Sequence, residues 1–300
     1  LLAYGASGAA ALIYEVGWTR VLSLAFGTTT YAFSSMLGAF LLGIGLGSLV
    51  LASPRVIRLD RLRAPLLWFG VLEVAIAACV TFLTPLLDRL PLTFLTLFRY
   101  TGPRFWALQA AEAAVSAAVM LLPAALMGLA FPLVTHIATE NLGAVGRRLA
   151  AVYAANTAGT VVGSFASGFI LIPLLGVRTA LAMGVMLNLA VGLAYLGPFV
   201  WRERSRLATV GVAAAALVIV SWPFLPDWNK AVLTSGAYIY PGFYLQGDAR
   251  AIMQDKQILH YRDALTGTIS VTSVSLPGLS DEPVISLQIN GKTDASTRDL

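Results

Sequence analysis

The stretch ALIYEVGWTR, residues 11–20, sits inside an apolar run from Leu1 to about Phe26. About 20 such residues cross a hydrocarbon core as a helix, so the run predicts a membrane span, and Glu15 and Arg20 sit within it. A charge at the centre of a bilayer costs about 2.5–3.5 kcal/mol on insertion scales. The two residues are five apart, which at 3.6 residues per turn separates them by roughly 140° around the helix. They cannot pair as residues four apart would. Each must find a partner elsewhere, or Arg20 must snorkel toward the nearby end at Phe26. Glu15 is too short for that and is expected to face the bundle and be held by groups on other helices. Tyr14 and Trp18, four apart, form a neighbouring stripe that would shield it.

The rest of the chain has the same character. It is 58% hydrophobic and 12% charged, with a mean hydropathy of +0.78, against about 25% charged residues in a soluble domain. Seven hydrophobic segments run over about 1–26, 31–53, 65–87, 105–137, 149–174, 178–200 and 207–225. The expected fold is mainly α: a polytopic helical membrane bundle of about seven spans over residues 1–225. The fourth segment contains Pro123 and Pro132 and is expected to kink or break. Ala39, Gly43 and Gly47 repeat every four residues, as do Ala155, Gly159, Gly163 and Ser167. In lipid, such small-residue stripes let helix backbones approach closely.

Residues 1–225 hold fourteen arginines, no lysine and seven acids. Nine of the arginines fall in loops on one side if every segment spans, against Arg89, Arg99, Arg104 and Arg178 on the other. The positive-inside rule then puts the nine in the cytoplasm and the chain after Leu225 outside. Because the arginines are spread over short loops, nucleic acid is a poor partner; the lipid bilayer is the expected one. Cys79 is the single cysteine, which excludes an intramolecular disulfide framework. His136 and His260 stand apart from any second ligand, so no metal site is expected.

Residues 226–255 are a connecting segment rich in turn formers and aromatics. Residues 256–300 alternate as strands do, with Ile285, Leu287 and Ile289 on one face and Ser286, Gln288 and Asn290 on the other. Asn290-Gly291 is a hairpin turn signal. A small antiparallel β element is expected, with part of its apolar face exposed or packed on the rim of the bundle.

No nucleotide-binding, protease or hydrolase motif is present. The intramembrane polar residues carry the chemistry instead: Glu15, Glu73 and Glu112, with Asn156 and Asn188. Intramembrane acids face bundle interiors and mark pathways or paired networks. Three carboxylates around a cavity would suit an organic cation or a proton relay. Alternatively, they would tie helices together through arginine, tyrosine and backbone partners. The network expected from the sequence comprises Glu15, Arg20, Tyr14, Trp18, Glu73, Glu112 and Asn156.

The stretches SGAAALIYEVGWTRVLSLAFGTTTYAFSSMLGAFLLGIGLGS, LLPAALMGLAFPLV, RRLAAVYAANTAGTVVGSFASGFILIPLLG and LQINGKTDAST occur in this order. Together they resemble the bacterial membrane-embedded spermidine synthase-like proteins, often described as fused major-facilitator/spermidine synthase proteins. The resemblance implies a helical membrane part in the bacterial inner (plasma) membrane, followed by a polyamine aminopropyltransferase domain. Such enzymes use decarboxylated S-adenosylmethionine as co-substrate to extend an amine such as putrescine to spermidine. It also implies that Gly291 is the family's turn glycine and that Gln288, Asp294 and Asp299 lie toward the amine. Asp294 stands where soluble members often carry glutamine. The glycine-rich nucleoside turn and the catalytic aspartate are expected after Leu300, so residues 1–300 would be a truncated, non-catalytic piece with no catalytic residue of its own. The alternative is a polyamine or organic-cation transporter or sensor with major-facilitator-like helices.

Overall fold

The computed structural model describes residues 1–53, 64–139, 145–274 and 283–298. Seven of its helical stretches are long and apolar enough to cross a membrane: Leu2–Phe26, Thr30–Ala52, Pro65–Thr101, Phe105–Ala138, Val145–Leu175, Val177–Trp201 and Arg206–Phe224. They contain α1 (Leu2–Phe26), α2 (Thr30–Ala52), α3 (Pro65–Leu83), α4 (Leu90–Thr101), α5 (Phe105–Ala138), α6 (Val145–Phe165), α7 (Ile172–Leu175), α8 (Val177–Trp201) and α9 (Arg206–Ser221). A 3₁₀ turn joins α3 to α4, and a π-helical segment, Ala166–Leu171, joins α6 to α7. Short helices α10 (Lys230–Leu233), α11 (Pro241–Tyr244) and α12 (Ala249–Gln254) lead to the sheet.

Three helix pairings organise the bundle: α2 on α5, α1 on α6 and α3 on α8. The small-residue stripes make two of them. A Cβ at Gly47 would collide with the Ala125 carbonyl of α5, and one at Gly159 with the Gly5 carbonyl of α1. Between lipid-bathed helices, where apolar burial gives no advantage over lipid contact, this backbone proximity supplies the dispersion that holds the pair.

The fourth segment does not break. α5 runs as one helix of 34 residues with Pro123 and Pro132 inside it. Proline lacks the N–H that would bond four residues back, so Pro132 leaves the Gly128 carbonyl without its helical donor. Ser48 of α2 supplies one: its hydroxyl donates to Gly128 O at 2.9 Å. A neighbouring hydroxyl replacing a missing amide is how membrane helices tolerate internal proline.

Four antiparallel strands follow in the order β1 (Gln257–Asp263), β2 (Thr268–Val274), β3 (Val284–Ile289) and β4 (Lys292–Ser296). The β3–β4 turn has positive φ at both Asn290 (51°) and Gly291 (79°), as a type I′ hairpin requires. The pleat puts Thr268, Ser270, Thr272 and Gln288 inside, each 5% exposed or less, and leaves Ile285, Leu287 and Ile289 about 40% exposed. The polar face is the buried one.

The sheet sits at the end of the bundle where α1 finishes, and several polar contacts fasten it there. The Arg20 guanidinium reaches up α1 and donates to the Leu265 carbonyl in the β1–β2 turn. Asp263 Oδ2 accepts from the Val177 N–H at the start of α8, at 3.1 Å. In the connecting segment, Trp228 Nε1 donates to Thr84 O at 2.8 Å, and Tyr238 Oη donates to Asn290 O at 3.1 Å.

Candidate functional site

Midway along α1, α3 and α8 a polar network crosses the bundle. Tyr14 Oη donates to Asn188 Oδ1 at 2.6 Å, and Asn188 Nδ2 donates to Glu73 Oε2 at 2.5 Å. All three side chains are within 1% of full burial. A buried carboxyl needs its hydrogen bonds satisfied, yet Glu73 Oε1 completes none. The Ser7 hydroxyl of α1 also faces this carboxyl. Among the described residues no basic side chain pairs with Glu73. Trp18 stacks on Tyr14, with ring centroids 5.6 Å apart, and its buried Nε1 also lacks an acceptor.

Ser7 has a second neighbourhood. With Gly8, Ser48, Tyr153, Asn156 and Thr160 it lines a cleft of about 310 Å³ between α1, α2, α5 and α6. Asn156 packs against the Cα of Gly8, and its amide makes no hydrogen bond among the described residues. A polar cleft at bilayer depth therefore opens toward Ser7, with the Glu73 carboxyl behind it.

The sequence-predicted residues divide accordingly. Tyr14, Trp18 and Glu73 come together, with Asn188 as the link. Asn156 lies in the adjoining cleft. Glu112 is 3% exposed but stands apart on α5, where its Oε2 accepts from Gln109 of the same helix at 2.7 Å. Arg20 belongs to the sheet contact. Glu15, expected to be held by other helices, is half-buried and has no hydrogen-bond or ion-pair partner among the described residues. One residue step turns the helix by 100°: Tyr14 packs on Gly184 of α8, so Glu15 is directed away from that contact. Ser7 carried no sequence signal, since it reads as one more small packing residue.

In the sheet, Gln288 is 5% exposed and committed internally. Its Oε1 accepts from Lys256 Nζ at 3.3 Å, and its Nε2 donates to Thr293 Oγ1 at 3.3 Å. The Lys256 ammonium, 9% exposed, also donates to Thr234 O at 3.2 Å. Burial pushes this lysine down to about 8. Asp294 is on the surface beside Lys292, 3.5 Å away. Asp299 lies outside the described residues. Among the described residues, no three His, Cys, Asp or Glu side chains come together.

No family model matches this chain, and no curated protein or solved structure matches it either.

Proposed function

We propose that this chain is the membrane domain and amine-side sheet of a spermidine synthase-like aminopropyltransferase of the bacterial inner membrane. The observation that carries the reading is the hairpin. LQINGKTDAST forms the strand, turn and strand that the resemblance implies, with Gly291 at positive φ in the turn. The Asp294 carboxylate is exposed there as a group able to bind an ammonium. Gln288 is spent on Lys256, so among the described residues the contact falls to Asp294. The sheet is also hydrogen-bonded to the bundle at Leu265 and Asp263 and to the connecting segment at Asn290, which suits a membrane-embedded enzyme better than a tethered one.

On this reading decarboxylated S-adenosylmethionine is the aminopropyl donor. Assaying the full-length protein in liposomes with this donor and putrescine tests the proposal. Spermidine formation supports it; a folded full-length protein that forms no spermidine rejects it. The arginine count puts the sheet on the outer side of the membrane, where the donor must then reach it. A reporter fused at Trp228 checks this orientation, and a cytoplasmic signal would refute it.

The cleft between α1, α2, α5 and α6 favours a second reading, a polyamine or organic-cation transporter or sensor. In it, Asn156 and Ser7 admit an ammonium toward Glu73. Glu73→Gln keeps the geometry of the Asn188 bond, so on this reading the variant stays folded and loses spermidine binding. Unchanged binding would count against it.

A further inference from the structure

The Ser7 hydroxyl faces the Glu73 carboxyl and also lines the polar cleft between α1, α2, α5 and α6. A second cleft of about 310 Å³ abuts the first, lined by Tyr4, Phe69, Val134, Ala138, Arg148 and Tyr195 among others. Tyr4 borders both. On α5, Phe131 borders the first cleft and Val134, one turn on, the second; on α6, Tyr153 and Val152 divide the same way. The second cleft lies at the end of the bundle away from the sheet. There α1 begins, α5 finishes at Ala138, and Arg148 in the first turn of α6 donates to Ala138 O at 3.2 Å.

Tyr4 is 6% exposed, and no hydrogen bond engages its hydroxyl among the described residues. It stands close enough to Glu73 for the two to interact electrostatically. The polar cleft, about 310 Å³, has room for water, since one molecule needs only about 10–15 Å³ and two to four polar partners. Ser7, Ser48, Asn156 and Thr160 line it and offer such partners. Toward the sheet the packing is closed instead: Tyr14, Trp18, Val21 and Leu22 of α1 and Leu181 and Val185 of α8 are each 1% exposed or less. Glu73 therefore has one polar approach and one sealed side.

An intramembrane acid so placed marks a proton or ion pathway. We propose that Glu73 exchanges its proton with one side of the membrane only, the side of Arg148. The route is Ser7 and water in the cleft, and the Tyr4 ring is the gate between that water and the surface. A hydronium in the cleft gives a proton to Ser7 Oγ while Ser7 passes its own to the carboxylate. The hydronium is left as water, the hydroxyl is unchanged and the carboxylate becomes the acid. The proposal stands apart from both functional readings, because its test measures neither spermidine binding nor spermidine formation.

Cys79 is the single cysteine, so Cys79→Ser supplies a background for single-cysteine variants in proteoliposomes of one orientation. A charged, membrane-impermeant thiol reagent is added to either side. Arg202→Cys, past the end of α8, marks the Arg148 end, and Gln246→Cys in the connecting segment marks the sheet end. Ser7→Cys and Asn156→Cys should react only from the Arg202 side, and Val21→Cys from neither. Tyr4→Ala should speed the reaction of Ser7→Cys by about tenfold, equivalent to a closure of about 1.4 kcal/mol. In the unsubstituted chain, the infrared band of the protonated Glu73 carboxyl is identified by its loss in Glu73→Gln. It should follow pH on the Arg202 side and ignore pH on the other. Reaction or titration from the Gln246 side would overturn the proposal, as would the absence of either from the Arg202 side. An unchanged rate in Tyr4→Ala would remove Tyr4 as the gate.

Discussion

Ser48 on α2 donates to the carbonyl of Gly128, the acceptor that Pro132 leaves without a helical donor. One hydroxyl thereby keeps a 34-residue helix continuous and ties it to its neighbour. Ser48→Ala should destabilise the bundle by about 1 kcal/mol, the typical worth of such a bond. In a Pro132→Ala background the amide returns, and the same substitution should cost measurably less. Unfolding in mixed micelles of the single and double variants gives the coupling; strict additivity would reject it.

The Glu73–Asn188 bond should behave as a buried pair whose halves depend on each other. Asn188→Leu removes the donor to Glu73 Oε2 and the acceptor for Tyr14 Oη. It should cost about 1–3 kcal/mol for each buried group left unpaired. Tyr14→Phe should cost less, since it strands the Asn188 oxygen alone. Combining Asn188→Leu with Glu73→Leu should recover the part of the loss that comes from the stranded carboxyl, leaving the cost of the unpaired Tyr14 hydroxyl. Thermal melting of the three variants decides.

Lys256 gives the sheet a pH dependence opposite to that of a salt-bridged lysine. Its folded-state value is lowered from 10.5 to about 8 by burial. Between these values the unfolded chain binds more protons than the folded one, so stability rises with pH from about 8 to 10.5. Below about pH 8 the penalty for the buried ammonium is fully present, on the order of 3 kcal/mol. Hydrogen exchange in β2 and β3 should therefore slow as pH rises through that window, after correction for intrinsic exchange. In Lys256→Met the pH trend should vanish.

The spans were legible because a run of apolar residues carries its own length requirement and needs no partner to be recognised. The small-residue stripes were legible for the same local reason. What the sequence hid were partnerships. Ser48 lies 80 residues from the carbonyl it serves, and Asn188 lies 115 from Glu73. Nothing local marks which serine or asparagine will answer an acid or a proline. Glu15 shows the converse: its position in the span attracted attention, but helical phase turned it away from the contact that Tyr14 makes.

The sheet carries the sharpest test of which face is which. Alternation in β3 is plain in the sequence, but it does not say that the polar residues face inward. Leu287 is 39% exposed, and Gln288, one step along, is 5% exposed and bonded to Lys256. Leu287→Thr should thus change stability by no more than about 0.5 kcal/mol, as for other surface substitutions. Gln288→Leu should cost about 1–3 kcal/mol although it adds apolar bulk, because it leaves the Lys256 ammonium one acceptor short. In a soluble half-buried strand with its apolar side inward, the order would be reversed. Hydrogen-exchange protection at β2 and β3 in the two variants measures it. Greater loss from Leu287→Thr would mean that the apolar face is the one against the protein.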